Sequence, residues 1–226
     1  MLDRYRSEAG PRLDRFARPF MGWHPNTLSW LSFGLSLAAA GLLAFLHFLP
    51  YSSPWVPFLF FDVGALAFVG GFFDAIDGHV ARRRSLTSPR GDFLDHVLDR
   101  YADTVLLLGL SVSSWVNPYL GLLALASLLL TSYMGTQAQA ITGKRIYGGL
   151  LGRADRIVLL TLAALFMALV TTWDYFVSGR WAFPLWAHVG GWTLGPWDVV
   201  MIYFVVASQA TAAYRAVATW RVLGSP

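Results

Sequence analysis

The sequence predicts an all-α integral membrane protein with six transmembrane helices and an N-terminal amphipathic segment. Hydrophobic residues make up 56% of the 226 residues and charged residues only 13%, whereas a soluble domain carries about 25% charged residues. Long stretches contain no charged residue at all: those between Arg18 and Asp62, Asp103 and Lys144, Arg156 and Asp174, and Asp198 and Arg215. Because a spanning helix needs about 20 mainly apolar residues, these stretches predict membrane spans.

We predict one domain over residues 1–226, in which residues 27–221 form a six-helix bundle. The predicted spans are approximately 27–49, 57–83, 92–115, 117–141, 154–173 and 196–221. Pro54, Asn117-Pro118 and Gly195-Pro196 are turn signals that separate or begin these spans.

Residues 1–20 mix arginines with Leu, Tyr and Phe and predict an amphipathic juxtamembrane helix, interrupted near Pro11. Basic residues gather before the first span, between the second and third spans, between the fourth and fifth spans, and at the C-terminal end. The positive-inside rule then places both termini on the cytoplasmic side of the plasma membrane.

The net charge of +4 arises almost entirely from arginines beside apolar spans. Anionic membrane lipids and phosphate substrates are therefore the expected partners, and nucleic acid is not. The absence of cysteine excludes disulfides, zinc-thiolate sites and cysteine nucleophiles.

Four aspartates with helical spacing join the second and third spans in the run DAIDGHVARRRSLTSPRGDFLDHVLD. Asp74 and Asp77 are three residues apart, and Asp95 and Asp99 are four apart, so each pair shares a helix face. Two antiparallel helices would bring the four carboxylates together, and four carboxylates in one apolar pocket cannot all stay ionised without a cation. Hard oxygen ligands suit Mg²⁺, Mn²⁺ or Ca²⁺, and phosphate-handling sites usually use Mg²⁺. The pattern therefore predicts a site for two divalent cations, Mg²⁺ or Mn²⁺ above all, that would bridge a diphosphate.

Three further residues of the same run favour nucleotide binding at the aspartates. Gly78 and Gly91 would allow the backbone to approach a nucleotide closely, and Arg82 supplies a phosphate partner. A purely structural ion-pair cluster between the aspartates and Arg82–Arg84 explains neither glycine.

The run resembles the signature of the CDP-alcohol phosphotransferase family, D-x2-D-G-x2-A-R-x8-G-x3-D-x3-D, at every fixed position. His24-Pro25-Asn26-Thr27 and Gly152-Arg153-Ala154-Asp155-Arg156 are similar to family segments that open the first and fifth spans. Asp99-Arg100-Tyr101-Ala102-Asp103 resembles the archaeal and bacterial phospholipid synthases.

The resemblance implies a reaction in which a CDP-lipid donates its phosphate-linked lipid to the hydroxyl of a polar acceptor and CMP leaves. It implies that Asp74, Asp77, Asp95 and Asp99 hold the metals, and that Asp99 also acts as the base. It further implies that Asp74, Asp77, Gly78, Ala81, Arg82 and Gly91 line the cytidine-diphosphate pocket, and that the protein is a homodimer.

We expect the acceptor to be a phosphorylated polyol such as glycerol phosphate or inositol phosphate. The basic residues expected to bind its phosphate are Arg153, Arg156, Lys144 and Arg145. Family members that use inositol phosphate usually carry basic residues after a Ser-Tyr pair in the fourth span. Here Ser132-Tyr133 is followed by Met, Gly, Thr and Gln, which speaks against inositol phosphate.

Two other interpretations of the sequence remain. A metal-ion or proton-coupled transporter also places carboxylates in spans, but it predicts acids near the middle of the bilayer and broken helices. A catalytically silent membrane scaffold could keep the fold without the reaction.

Overall fold

The computed structural model describes residues 10–143, 148–179, 187–189 and 192–224. The seven α-helices in these residues are α1 Gly10–Ala17, α2 Pro25–Phe45, α3 Val56–Arg83, α4 Pro89–Val112, α5 Pro118–Thr142, α6 Arg153–Ser178 and α7 Pro196–Leu223. Two short antiparallel strands, β1 Ala187–Val189 and β2 Trp192–Leu194, precede α7, with Ala187 opposite Leu194. The predicted all-α class is confirmed, and the strand pair is a small addition that the sequence did not indicate.

The six long helices coincide with the six predicted spans to within a few residues. Five of them, α2, α3, α5, α6 and α7, are long and apolar enough to cross a membrane. The third predicted span, α4, has the required length, but it carries the aspartates and two arginines. A sixth span therefore stays a prediction. The N-terminal helix begins at Gly10, one residue before Pro11, and residues 1–9 lie outside the described residues.

Proline and capping side chains begin the long helices. Proline occupies the first or second position of α2, α3, α4, α5 and α7, where its missing N–H costs no intrahelical hydrogen bond. At the start of α4, the Ser88 hydroxyl accepts a hydrogen bond from the N–H of Gly91 at 3.1 Å. At the start of α5, the Asn117 side chain accepts from the N–H of Tyr119 at 3.0 Å. These caps satisfy N–H groups that have no partner within the helix.

The long helices alternate in direction, so that one end of the bundle holds all four aspartates of the motif. α2 packs against α3 and α4, α3 packs against α6, and α5 packs against α7 and α4. The aspartate end of the bundle therefore contains the first turns of α2, α4 and α6 and the last turns of α3, α5 and α7. At the opposite end, Phe60 packs edge-on against Trp115 with ring centroids 5.0 Å apart, and all three of Phe60, Trp115 and Trp197 are buried.

The short helix α1 docks on the last turns of α3 through apolar and charged contacts. Ala17 is fully buried, and the ring of Phe20 lies edge-on to Phe73 at 5.3 Å. Asp14 accepts hydrogen bonds from Arg83, whose Nε lies 2.9 Å from Oδ1, and its Oδ1 lies 2.6 Å from Nε2 of His79. These two contacts, that of Arg83 above all, lower the pKa of Asp14. The docking brings α1 beside the motif residues at the end of α3.

We predict that Gly109 is required where α4 crosses α2. A methyl group at Gly109 would lie 2.5 Å from the carbonyl oxygen of Ala40, so Gly109→Ala should lower the free energy of unfolding by about 1–3 kcal/mol. Gly41→Ala on α2 is the matched control, since an added methyl group there meets nothing within 4 Å and alanine is the better helix former by about 1 kcal/mol. Thermal unfolding in detergent checks both variants. Equal melting temperatures of Gly109→Ala and Gly41→Ala would contradict a close approach of α4 to α2 at Gly109.

Candidate active site

Three of the four predicted carboxylates meet at the aspartate end of the bundle. Asp74 comes from the last third of α3, and Asp95 and Asp99 come from the first half of α4. One oxygen of each lies within 4.8 Å of an oxygen of the other two. The antiparallel pairing of α3 and α4 thus produces the cluster that the spacing predicted, for these three residues.

The fourth carboxylate, Asp77, does not belong to this group of three. The residue is only 5% exposed, and its Oδ2 accepts a hydrogen bond of 2.6 Å from the hydroxyl of Ser29 on α2. Its Oδ1 accepts from the N–H of Gly78. Sequence reasoning missed Ser29, although a hydroxyl one turn after the His24-Pro25 pair in an apolar span was a usable signal.

The three clustered residues fit a divalent cation. Carboxylate oxygens are hard ligands of the type that Mg²⁺ and Mn²⁺ accept. Asp99 is buried and Asp74 and Asp95 are partly buried, so the cluster lies in an environment where three negative charges require compensation. The recess beside it is also lined by Ser29 and Ser32 of α2.

Arg153, the first residue of α6, supplies a positive charge directly to this cluster. Its Nη1 lies 2.8 Å from Oδ1 of Asp74 and contacts Oδ1 of Asp99. The side chain of Asp155 accepts a hydrogen bond from the N–H of Gly152 at 2.9 Å, which caps α6.

Arg156 lies one turn further along α6 and is buried. Only 6% of the residue is exposed, and its Nη1 lies 3.0 Å from Oδ2 of Asp103 on α4. Arg156 is thus a basic partner of Asp103. This pair links α4 to α6 beneath the aspartate cluster, so the guanidinium of Arg156 faces a protein carboxylate.

Two arginines that sequence reasoning did not assign lie near the same place. Arg100 of α4 donates a hydrogen bond to the Ser132 hydroxyl of α5, and its Nη2 lies 3.7 Å from Oδ2 of Asp99. Arg215 of α7 donates to the carbonyl oxygen of Thr131 at 2.8 Å. Both of them, together with Arg153, are close enough to Arg156 to act on it electrostatically.

Arg215 occupies the space beside Gly135, where the fourth predicted span lacks a basic residue. A methyl group at Gly135 would lie 2.9 Å from Nη1 of Arg215. The missing side chain on α5 therefore makes room for a guanidinium from α7. No spacing in the sequence could have shown this, because the two residues are 80 positions apart.

The remaining predicted nucleotide residues lie on the two helices that carry the cluster, where α3 ends and α4 begins. Gly78, Ala81 and Arg82 lie in the last two turns of α3, and Gly91 lies in the first turn of α4. The guanidinium of Arg82 folds back over Gly78, 3.2 Å from where a methyl group would stand. Of the predicted acceptor residues, Lys144 and Arg145 lie outside the described residues.

Residues 23–197 match the CDP-alcohol phosphatidyltransferase family. The archaetidylinositol phosphate synthase of Methanothermobacter thermautotrophicus is 37% identical over 109 residues, which cover 48% of this chain and 55% of that protein. The protein of the same name from Pyrococcus horikoshii is 28% identical over 170 residues, covering 74% of this chain and 84% of that protein. The phosphatidylinositol phosphate synthase of Cutibacterium acnes is 25% identical over the whole of both chains.

The fold is also that of a solved enzyme. The crystal structure of phosphatidylinositol phosphate synthase from Mycobacterium tuberculosis with CDP-DAG bound superposes with a TM-score of 0.63 at 23% identity, covering 92% of this chain and 93% of that chain. Its complex with manganese and citrate gives the same TM-score and covers 92% of this chain and 88% of that chain. At this identity, the likeness shows the shared fold.

Proposed function

Because the chain belongs to the CDP-alcohol phosphatidyltransferase family, we propose that it transfers the phosphate-linked lipid of a CDP-lipid to a phosphorylated polyol and releases CMP, as a step of phospholipid biosynthesis. The observation that carries this proposal is the meeting of Asp74, Asp95 and Asp99 at one end of an apolar bundle. The family membership leaves the transporter interpretation without support.

The cations of this reaction would be held by Asp74, Asp95 and Asp99, with Asp77 beside them on α3. Ser29 orients the carboxylate of Asp77 through the hydrogen bond to Oδ2. Two ions, Mg²⁺ or Mn²⁺, would neutralise charge on the diphosphate and assist departure of CMP when bound. The fit of hard oxygen donors supports the proposal, and the complex of the mycobacterial enzyme with manganese agrees with it.

The reaction exchanges one P–O bond for another. The acceptor hydroxyl loses its proton to the carboxylate of Asp99, and its oxygen forms a bond to the phosphorus that carries the lipid. The bond between that phosphorus and the bridging oxygen breaks, and CMP leaves with the electron pair. Gly78, Ala81, Arg82 and Gly91 would bind the cytidine diphosphate beside the cluster, since they lie near the ends of α3 and α4, the two helices that carry it.

Inositol phosphate is the acceptor that we propose. The names of the archaeal and bacterial relatives support it, and the sequence argument against it considered only the fourth span. Arg215 reaches the space beside Gly135 from α7, and Arg153 lies at the cluster itself. These guanidinium groups can bind a dianionic phosphate. Arg156 would support this site through its ion pair with Asp103. Lys144 and Arg145 are further residues that we propose to bind the acceptor phosphate.

We propose that α4 is the sixth span and that the aspartate end and both termini face the cytoplasm of the plasma membrane. The basic residues flanking this end of the bundle support that orientation. It would also bring the site to the face where a membrane-held CDP-lipid and soluble polyol phosphates meet. The homodimer stays a proposal from the family resemblance, and chemical cross-linking in membranes that yields only monomer would refute it.

We predict that Asp95→Asn lowers the rate of CMP release at least about 100-fold. The substitution replaces a charged carboxylate of the metal-binding cluster by a neutral amide. The measurement is CMP formed from CDP-diacylglycerol or CDP-archaeol with Mg²⁺ and inositol phosphate. Asp62→Asn is the matched control, since Asp62 is exposed on α3 and lies three turns before Asp74. Activity that survives EDTA or the Asp95 substitution would refute metal-dependent transfer.

We predict that inositol phosphate is preferred over glycerol phosphate, inositol and serine in the same CMP assay. Arg215→Gln should raise the KM for inositol phosphate about tenfold and change the KM for the CDP-lipid much less, because it removes a charged hydrogen bond to the acceptor. Arg221→Gln, an exposed arginine further along α7, is the control. If serine or free inositol is the best acceptor, the acceptor assignment is wrong.

We predict that a single cysteine placed at residue 225 reacts with an impermeant maleimide only in inside-out vesicles. The chain contains no cysteine of its own, so no background labelling arises. A cysteine at residue 52, in the connection between α2 and α3, should show the reverse pattern. Labelling of residue 225 from outside intact cells would invert the proposed topology.

A further inference from the structure

The guanidinium of Arg153 is shared between two carboxylates of the catalytic cluster. Its Nη1 contacts oxygens of both Asp74 and Asp99, and its side chain is 18% exposed. Its Nε is buried and has no hydrogen-bond partner among the described residues. The guanidinium of Arg153 is therefore held through Nη1, which contacts oxygens of two clustered aspartates.

Asp74 and Asp99 are also two of the three residues that would hold a divalent cation. Oxygens of Asp74, Asp95 and Asp99 lie within 4.8 Å of one another, and Arg153 contacts two of these residues. A guanidinium and a metal ion at the same carboxylates oppose each other, because the two positive charges repel and both attract the carboxylate oxygens. Arg153 and the cation are therefore competitors for the carboxylates of Asp74 and Asp99.

The neighbouring arginines do not share this arrangement. Arg156 is committed to Asp103 at 3.0 Å, a residue outside the cluster of three. Arg100 donates to Ser132, and its closest approach to Asp99 is 3.7 Å. Among the arginines described here, Arg153 is the one that bridges Asp74 and Asp99.

We infer that Arg153 couples cation binding to acceptor binding, an inference that rests on the proposed phosphate-bearing acceptor. Without a cation, Arg153 neutralises Asp74 and Asp99 and is not available to a phosphate. When a cation binds, it takes over this neutralisation and releases the guanidinium, which then binds the acceptor phosphate. Arg153 thereby makes the acceptor site depend on a loaded metal site, and it orders the binding of the two.

Thermodynamic linkage gives this inference two measurable consequences. Competition with Arg153 must weaken cation binding in the absence of substrate. Release of Arg153 must make acceptor binding tighter when the cation is present, by the same factor by which the acceptor tightens cation binding. Removal of the guanidinium should abolish both effects.

The first experiment measures Mn²⁺ affinity by isothermal titration calorimetry on the full chain in detergent without substrates. We expect Arg153→Gln to bind Mn²⁺ on the order of tenfold more tightly than the unsubstituted protein, within the usual range of coupling factors. Arg100→Gln is the matched control for loss of a nearby positive charge, and it should change the affinity much less. Arg153→Lys keeps the positive charge, so its Mn²⁺ affinity should stay near that of the unsubstituted protein. This variant also shows whether a substitution at residue 153 by itself disturbs folding.

The second experiment titrates inositol phosphate with Mn²⁺ and with EDTA. We expect Mn²⁺ to tighten its binding about tenfold in the unsubstituted protein and to have little effect in Arg153→Gln. Unchanged or weaker Mn²⁺ binding in Arg153→Gln, or an equal effect in Arg100→Gln, would overturn the coupling. An Mn²⁺ effect on inositol phosphate that persists in Arg153→Gln would also overturn it, because the ion would then contact the phosphate directly. CMP release by the unsubstituted protein tests the proposed function independently.

Discussion

Compensation of buried negative charge is the constraint on which this structure depends. Asp77, Asp99 and Asp103 are each less than 10% exposed, within helices that are otherwise apolar. Carboxylates in such surroundings are costly unless a positive charge or hydrogen-bond donor faces them. Three helices supply those partners, since Ser29 comes from α2, Arg153 and Arg156 come from α6, and Arg100 comes from α4 itself. The packing of α2, α3, α4 and α6 is therefore tied to the chemistry of the aspartate end.

The two ends of the bundle serve different purposes. At the end away from the motif, aromatic rings fill the core, and Asp198 accepts hydrogen bonds from the N–H groups of Gly195 and Asn117 at 2.7 Å each. This carboxylate joins the first turn of α7 to the start of α5. A closely packed end of this kind fixes the helix positions, while the aspartate end keeps polar groups facing a recess. Small rotations at the packed end would be expected to misplace carboxylates at the other.

At the proposed acceptor site, a guanidinium group that could bind phosphate comes from α7 and not from α5. The fourth span carries Gly135 shortly after Ser132-Tyr133, and Arg215 from the sixth long helix occupies the space beside it. Binding of a phosphate depends on where the guanidinium group lies, whichever helix carries it. An argument from one segment alone can therefore overlook a basic residue that another helix supplies.

The sequence by itself determined the helical membrane class, the approximate bounds of the six long helices, the family and the cluster of Asp74, Asp95 and Asp99. These features follow from local periodicity, apolar length and fixed spacing, which are properties of neighbouring residues. Only the tertiary structure decided that Asp77 turns to Ser29, that Arg156 is taken up by Asp103 and that Arg215 reaches Gly135. Those contacts join residues 48, 53 and 80 positions apart, and the helix packing that creates them is not encoded in any single segment.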